Sequence, residues 1–198
     1  SRKSPISYKI QRFWLNNNWT RCTVTVNGTW KNQKKHCVSF ENPCLNEIDI
    51  VNGKSYANNK SFNEPFEFCF IGRLDNNKGV NTIINSFKNI NPKFISKIHF
   101  IGDSDKKYFY KEMADYLGNK VEFHGFLDKE NVHKILATSH FLLLPSLSEG
   151  FPKVIAEAAC YGAIPIVSNV GSISHYVNNN NGFICDITVK NDFSRVLN

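Results

Sequence analysis

Two carboxylates, Glu149 and Glu157, stand with seven residues between them in the stretch 145–162. Paired carboxylates can do acid–base work at a glycosidic bond. The spacing here argues for something else. Glu149 falls in a turn marked by Pro145, Ser146, Ser148 and Gly150. Glu157 lies about five helical residues further on, roughly 7 Å along the axis at about 1.5 Å per residue. Each could grip a different part of one extended ligand; an exposed helix residue is the plain alternative for Glu157. Two cations, Arg73 and Lys78, share the short loop 72–79 just before a helical pattern. A guanidinium fork and an ammonium point charge beside a helix N-terminus suit a diphosphate. Two solvated surface charges are the competing reading.

Other groups carry less. Asp103-Ser104-Asp105 matches a metal-holding DxD pattern, but its place after the second strand suits a ribose-binding acid or a helix N-cap better. Loop 72–79 has only Gly72 and Gly79, so a GxGxxG dinucleotide site is weakly supported. The six His show no HxxxH or other metal spacing, and only His124, beside Gly125, belongs near a pocket.

These side chains need elements to hold them. From Pro65 onward, short apolar runs at 67–71, 97–101, 121–124, 141–144, 164–167 and 183–185 read as strands. Helical spacings alternate with them at 78–90, 106–117, 128–137, 171–177 and from 189 to the end, with Asp128 as an N-cap. Around 145–162, Pro152 suits a first helical residue and Gly162 a stop. The fold class predicted is α/β: a Rossmann-like, doubly wound, mostly parallel sheet. In the common order 3-2-1-4-5-6, the order reverses between strands one and four. Ligands then bind outside the C-terminal ends of those strands, which makes loops 72–79 and 146–153 face each other.

Composition bounds the rest. The chain has 198 residues, 41% hydrophobic and 21% charged, as a globular domain plus an appendage would. No uninterrupted apolar run reaches spanning length. Of the 24 Lys and Arg, eight lie in residues 1–40, which contain no Asp or Glu; the remainder balances 16 basic against 17 acidic residues. Interleaved with Tyr8, Phe13, Trp14 and Trp19, that segment fits contact with an anionic membrane surface or the solvated face of a fragment. Nucleic acid fits it less well, and none is expected as a partner. A possible helix near 6–15 precedes a strand pattern at 22–26 and the turn signal Asn27-Gly28. Residues 1–64 read as a basic N-terminal remnant and linker, and 65–198 as the nucleotide-sugar-binding domain named below. Six Cys without a CxxC pair point to a reducing cytoplasm.

Residues 70–79, 100–102, 121–125 and 145–167 together resemble, in order, motifs of the GT-B glycosyltransferases often called family 4. The likeness covers about 65–187, the C-terminal, donor-binding half, and Asn42-Pro43 resembles the crossing between the two halves. Glu149 and Glu157 resemble the EX7E pair of retaining members. The resemblance implies a UDP- or GDP-sugar substrate and a glycan or lipid-linked acceptor. It also implies a transferase without a metal cofactor. Arg73 and Lys78 would neutralise the departing diphosphate, with Gly72 at the base of their loop. Glu149 would hold donor-sugar hydroxyls near the amides of Gly150 and Phe151. Glu157 would bind the ribose, Gly125 and Phe126 the base edge, and the amides of Val154 and Ile155 the phosphate. A bacterial polysaccharide or lipid-linked glycan enzyme, cytoplasmic and peripheral to the inner membrane face, is the expected setting. A non-catalytic donor-binding subunit of a two-component transferase is the alternative. A sugar-nucleotide epimerase or dehydrogenase is a poor third.

Overall fold

The computed structural model describes residues 6–19, 21–26, 32–40, 44–150, 152–189 and 191–197. The chain divides into two compact units, Ser1–Asn42 and Pro43–Asn198. In the first, a helix spans Ile6–Asn16. Strands Val24–Val26 and Cys37–Ser39 pair in parallel, Val24 opposite Cys37. The sequence reading had found the first of these strands but not the second. Asn27 and Gly28, the turn signal, lie outside the described residues, as do Asn42 and Pro43.

The second unit begins earlier than residue 65, because the polar, Asn-rich stretch read as linker contains a helix, α1 (Glu47–Asn59). Asn46 and Asp49 form a capping box: the Asn46 side chain takes Asp49 N–H, and the Asp49 carboxylate takes Asn46 N–H, both at 2.8 Å. Nothing in its apolar spacing announces this helix, since Ile48, Ile50 and Val51 are exposed and only Gly53 is buried. It docks by close approach. A Cβ on Gly53 would lie 2.5 Å from Cys160 Sγ and 2.8 Å from the Cys160 carbonyl oxygen. Beyond its end, Lys60 Nζ donates to the carbonyls of Leu136 and Ser139 at 2.9 and 2.6 Å. Burial lowers the Lys60 pKa to about 8.

Six parallel strands follow: β1 (Phe66–Ile71), β2 (Ile95–Ile101), β3 (Val121–Gly125), β4 (Phe141–Leu144), β5 (Ile164–Ser168) and β6 (Phe183–Cys185). Their order is β3-β2-β1-β4-β5-β6, so the sheet reverses direction between β1 and β4. The predicted α/β fold and strand order are both present. Phe70, Leu142, Leu143 and Val167 are buried because helices cover both faces, which is why these strands read as unbroken apolar runs. Several helices are shorter than their periodicity suggests. α2 (Val80–Ser86) starts after Gly79, whose left-handed φ of 81° excludes a start at Lys78. α3 is Lys107–Met113, α4 is Lys129–Thr138, α5 is Lys153–Cys160 and α6 is Asp192–Leu197. Asp128 caps α4 as expected, accepting Asn131 N–H at 2.9 Å. The 171–177 pattern yields only a 3-10 turn, Ile173–His175. Among the described residues no helix is long and apolar enough to cross a membrane.

The docking of α1 is open to test by Gly53→Ala. Alanine gains about 1 kcal/mol of helix propensity over glycine, while forcing a side chain into a packed contact costs about 1–3 kcal/mol. The contact at 2.8 Å is to backbone and cannot rotate away. The overpacking therefore wins, and thermal denaturation should show a lower Tm; a raised Tm would mean that α1 does not pack there.

Candidate functional site

The two loops at the reversal point touch. Leu147 N–H, in the β4–α5 loop, donates to the Asn77 carbonyl of the β1–α2 loop at 2.7 Å. Gly79 lies so close that a Cβ there would be 2.3 Å from the Pro145 carbonyl oxygen. This backbone contact brings two side chains together across the crevice. Lys78 Nζ donates to Glu149 Oε1 at 2.7 Å, and Ser146 Oγ donates to the same oxygen at 2.7 Å. The Glu149 side chain is only 7% exposed and that of Lys78 29%. A carboxylate so removed from water is answered here by an ammonium and a hydroxyl.

Each loop is held from behind. Asp75, which the sequence reading passed over, organises the first: its Oδ1 accepts Lys78 N–H at 2.8 Å and its Oδ2 takes Arg73 Nε at 2.5 Å. The Arg73 side chain remains 68% exposed. Its bond to Asp75 uses Nε and not the two terminal nitrogens of the fork. The Lys78 N–H and Arg73 bonds lower the Asp75 pKa against the opposing effect of burial. Gly72 sits at the base of this loop, its N–H on the Ile101 carbonyl at 2.9 Å. The second loop rests on residues at and just after the end of β5. Ser168 Oγ donates to the Ser146 carbonyl at 2.5 Å, and Ser172 Oγ to the Gly150 carbonyl at 2.8 Å.

The remaining candidates fall around this pair. Phe151 lies outside the described residues. Pro152 is the N-cap of α5 and not its first helical residue. Val154 is in the first turn, where amides lack intrahelical acceptors. Ile155 N–H is already taken by the Pro152 carbonyl at 3.1 Å, which removes one of the two amides expected to be open. Gly125 ends β3 in a left-handed conformation, φ 74°, and Phe126 after it is 84% exposed. Lys107 approaches there: a Cβ on Gly125 would be 3.3 Å from its Nζ, which is also 3.9 Å from Asp103 Oδ1. Asp103 holds Ser104 N–H at 2.8 Å, and the N-cap of α3 is Lys106 without a side-chain cap, so neither DxD acid is the cap expected.

Glu157 lies on the α1 and α4 side of α5, half-buried among charges. Burial raises its pKa, while His133, Lys129 and Lys153 pull it down and Asp49 adds to the rise. Asp49, Lys129 and His133 also line an open cleft of about 490 Å³ with Tyr56 and Tyr161. Glu157 and Glu149 are thus set in different surroundings and do not form an acid–base dyad.

With this geometry established, comparison with known proteins is direct. The profile of the family described as "Glycosyl transferases group 1" matches residues 53–198. The chain belongs to that family. An uncharacterized glycosyltransferase of Methanocaldococcus jannaschii is 30% identical over 115 residues, 55% of this chain and 30% of that protein. The apo lipopolysaccharide outer core galactosyltransferase WaaB aligns at TM-score 0.62 and 25% identity, over 70% of this chain and 41% of its own. Anabaena HepE, solved with UDP-glucose, shares the fold at TM-score 0.58 and 22% identity, over 77% of this chain and 43% of its own. The chain thus spans well under half the length of each of these proteins. It shares the fold of the matched part of these solved structures, and the family match from residue 53 includes most of α1.

The environment of Glu157 in this group 1 chain has a testable sign. Because burial raises the folded pKa above the ordinary 4.5, the ionised form disfavours folding. That penalty is complete above the folded pKa and vanishes below the unfolded one. Glu157→Gln should therefore raise Tm modestly at pH 7, with the advantage closing as pH falls to about 4. Equal Tm values throughout, or a loss at pH 7, would contradict this account.

Proposed function

We propose that this chain is the donor-binding part of a retaining, family 4 type glycosyltransferase that moves a hexosyl group from a nucleotide diphosphate to a glycan or lipid-linked acceptor. The observation that carries the reading is the Lys78–Glu149 pair, bridging two βα units at the point of the sheet where α/β ligands bind. In the ligand-free site Lys78 neutralises Glu149. An incoming diphosphate offers Lys78 a stronger anionic partner and Arg73 a target for its terminal nitrogens. Glu149, still held by Ser146, then turns its acceptor capacity to donor-sugar hydroxyls. As the bond between the anomeric carbon and the phosphate oxygen breaks, charge grows on the leaving diphosphate. Arg73 and Lys78 stabilise that charge, a role that a metal plays in other transferases.

The Gly150 and Val154 amides flank the sugar and phosphate. Glu157 takes the ribose hydroxyls, and Gly125 and Phe126 meet the base edge. HepE, solved with UDP-glucose, supports a UDP-sugar as the first donor to try. Six cysteines without a CxxC pair support residence in the reducing cytoplasm.

Thermal-shift titration with UDP, GDP, ADP and CDP tests the reading. One or more diphosphates should raise Tm, since ligand at 100 times its Kd adds about 2.7 kcal/mol. Arg73→Ala and Lys78→Ala should each weaken the diphosphate about tenfold or more while leaving nucleoside binding nearly unchanged. Absence of any shift in folded protein would refute donor binding.

The same proposal includes peripheral contact of residues 1–40 with an anionic membrane. Eight basic residues and no acidic ones lie there, and Ile6, Ile10, Phe13 and Trp14 are exposed along the helix Ile6–Asn16. Sedimentation with phosphatidylglycerol vesicles should carry the protein down at low salt and release it at high salt. Equal sedimentation with neutral phosphatidylcholine vesicles would rule the electrostatic contact out.

A further inference from the structure

One polar cluster lies apart from the Lys78–Glu149 crevice, on the flank of the sheet. Residues 122 and 124 alternate onto the same face of β3, as i and i+2 must. In the parallel ladder His99 of β2 is the direct register partner of Glu122. Two strands thus deliver His99, Glu122 and His124 to one spot. One nitrogen or oxygen of each lies within 4.8 Å of those of the other two. His99 Nδ1 and His124 Nε2 are 2.9 Å apart, and the rings stack at 5.1 Å. Glu122 Oε1 is 3.7 Å from His124 Nδ1, while its other oxygen, Oε2, pairs with Lys97 Nζ at 3.3 Å.

We propose that His99, Glu122 and His124 form a binding site for one zinc-class divalent ion that clamps β3, the edge strand, to β2. The donor set is two imidazoles and a carboxylate, which favours zinc, cobalt or nickel over magnesium or calcium. Metal–nitrogen bonds of about 2.0–2.1 Å in tetrahedral array place ligand nitrogens about 3.3 Å apart. The present 2.9 Å gap needs to open by only a few tenths of an ångström. The backbone at these positions is fixed by the β2–β3 ladder and by Ile98 and Phe100, which flank His99 on the opposite face of β2 and are buried. Glu122, whose side chain is 48% exposed, is free to swing in.

The neighbours suit this role. Glu67 Oε2 faces the far nitrogen of His99, Nε2, at 3.7 Å, the carboxylate-behind-histidine arrangement that orients a metal-binding ring. Burial, and for His99 the nearby His124, lower the pKa of both rings. Without a metal the same contact is a hydrogen bond between the two rings. The site is separate from the proposed donor chemistry and does not depend on it.

The test uses the whole chain freed of metal with a chelator. Calorimetric titration with zinc chloride should give one ion per chain and a rise in Tm. Cobalt(II) should give visible d–d bands without thiolate charge transfer, which separates this site from the six cysteines. Glu122→Gln, at a half-exposed position that leaves folding intact, should weaken zinc about tenfold. The double variant His99→Ala/His124→Ala should abolish the stoichiometric ion. No stoichiometric binding by the unaltered chain would overturn the proposal. So would a thiolate-type cobalt spectrum, or undiminished affinity in Glu122→Gln.

Discussion

A carboxylate with only 7% of its side chain exposed must meet positive charge, and for Glu149 that charge comes from another βα unit. Lys78 is seventy-one residues away in sequence, yet its ammonium sits 2.7 Å from Glu149. Neither loop can take its place without the other. The buried carboxylate would be left short of a partner if the first loop moved, and the Leu147–Asn77 bond ties their backbones as well. The crevice is therefore preassembled, which is what charge stabilisation in the proposed transfer reaction requires.

The sheet makes this meeting unavoidable. With β1 and β4 adjacent and parallel, both following loops leave the same edge side by side. Closeness then restricts the residues allowed: Gly79 faces the Pro145 carbonyl at a separation that only hydrogen fits. Asp75 supplies a further constraint by holding the backbone of Lys78 and the side chain of Arg73 together. Both cations are thus held by one carboxylate, and Lys78 is answered by another.

The flank of the sheet follows the same logic with different chemistry. Strand alternation and parallel register gather His99, Glu122 and His124 as surely as strand order gathers Lys78 and Glu149. Opposite them the strands are apolar, so the ladder that positions these polar groups is anchored in the core. Helix α1 covers another part of the molecule by a different device, a glycine contact in place of an apolar stripe.

The sequence by itself determined the α/β class, all six strands of the main sheet within two residues at each end, and the identity of the two loops that matter. Those features are local: apolar runs buried on both faces, turn residues, and an N-cap such as Asp128 act over a few neighbours. Tertiary structure decided the rest. α1 was hidden because its docking rests on Gly53 and a capping box, with no periodic apolar face to see. The roles of Asp75 and Ser146 were hidden because a loop's internal hydrogen bonds depend on its closed shape. The contact between His124 and His99 was hidden because it joins neighbouring strands, a pairing fixed only by register. Spacing along the chain carries local conformation; which charge answers which is settled when the strands line up.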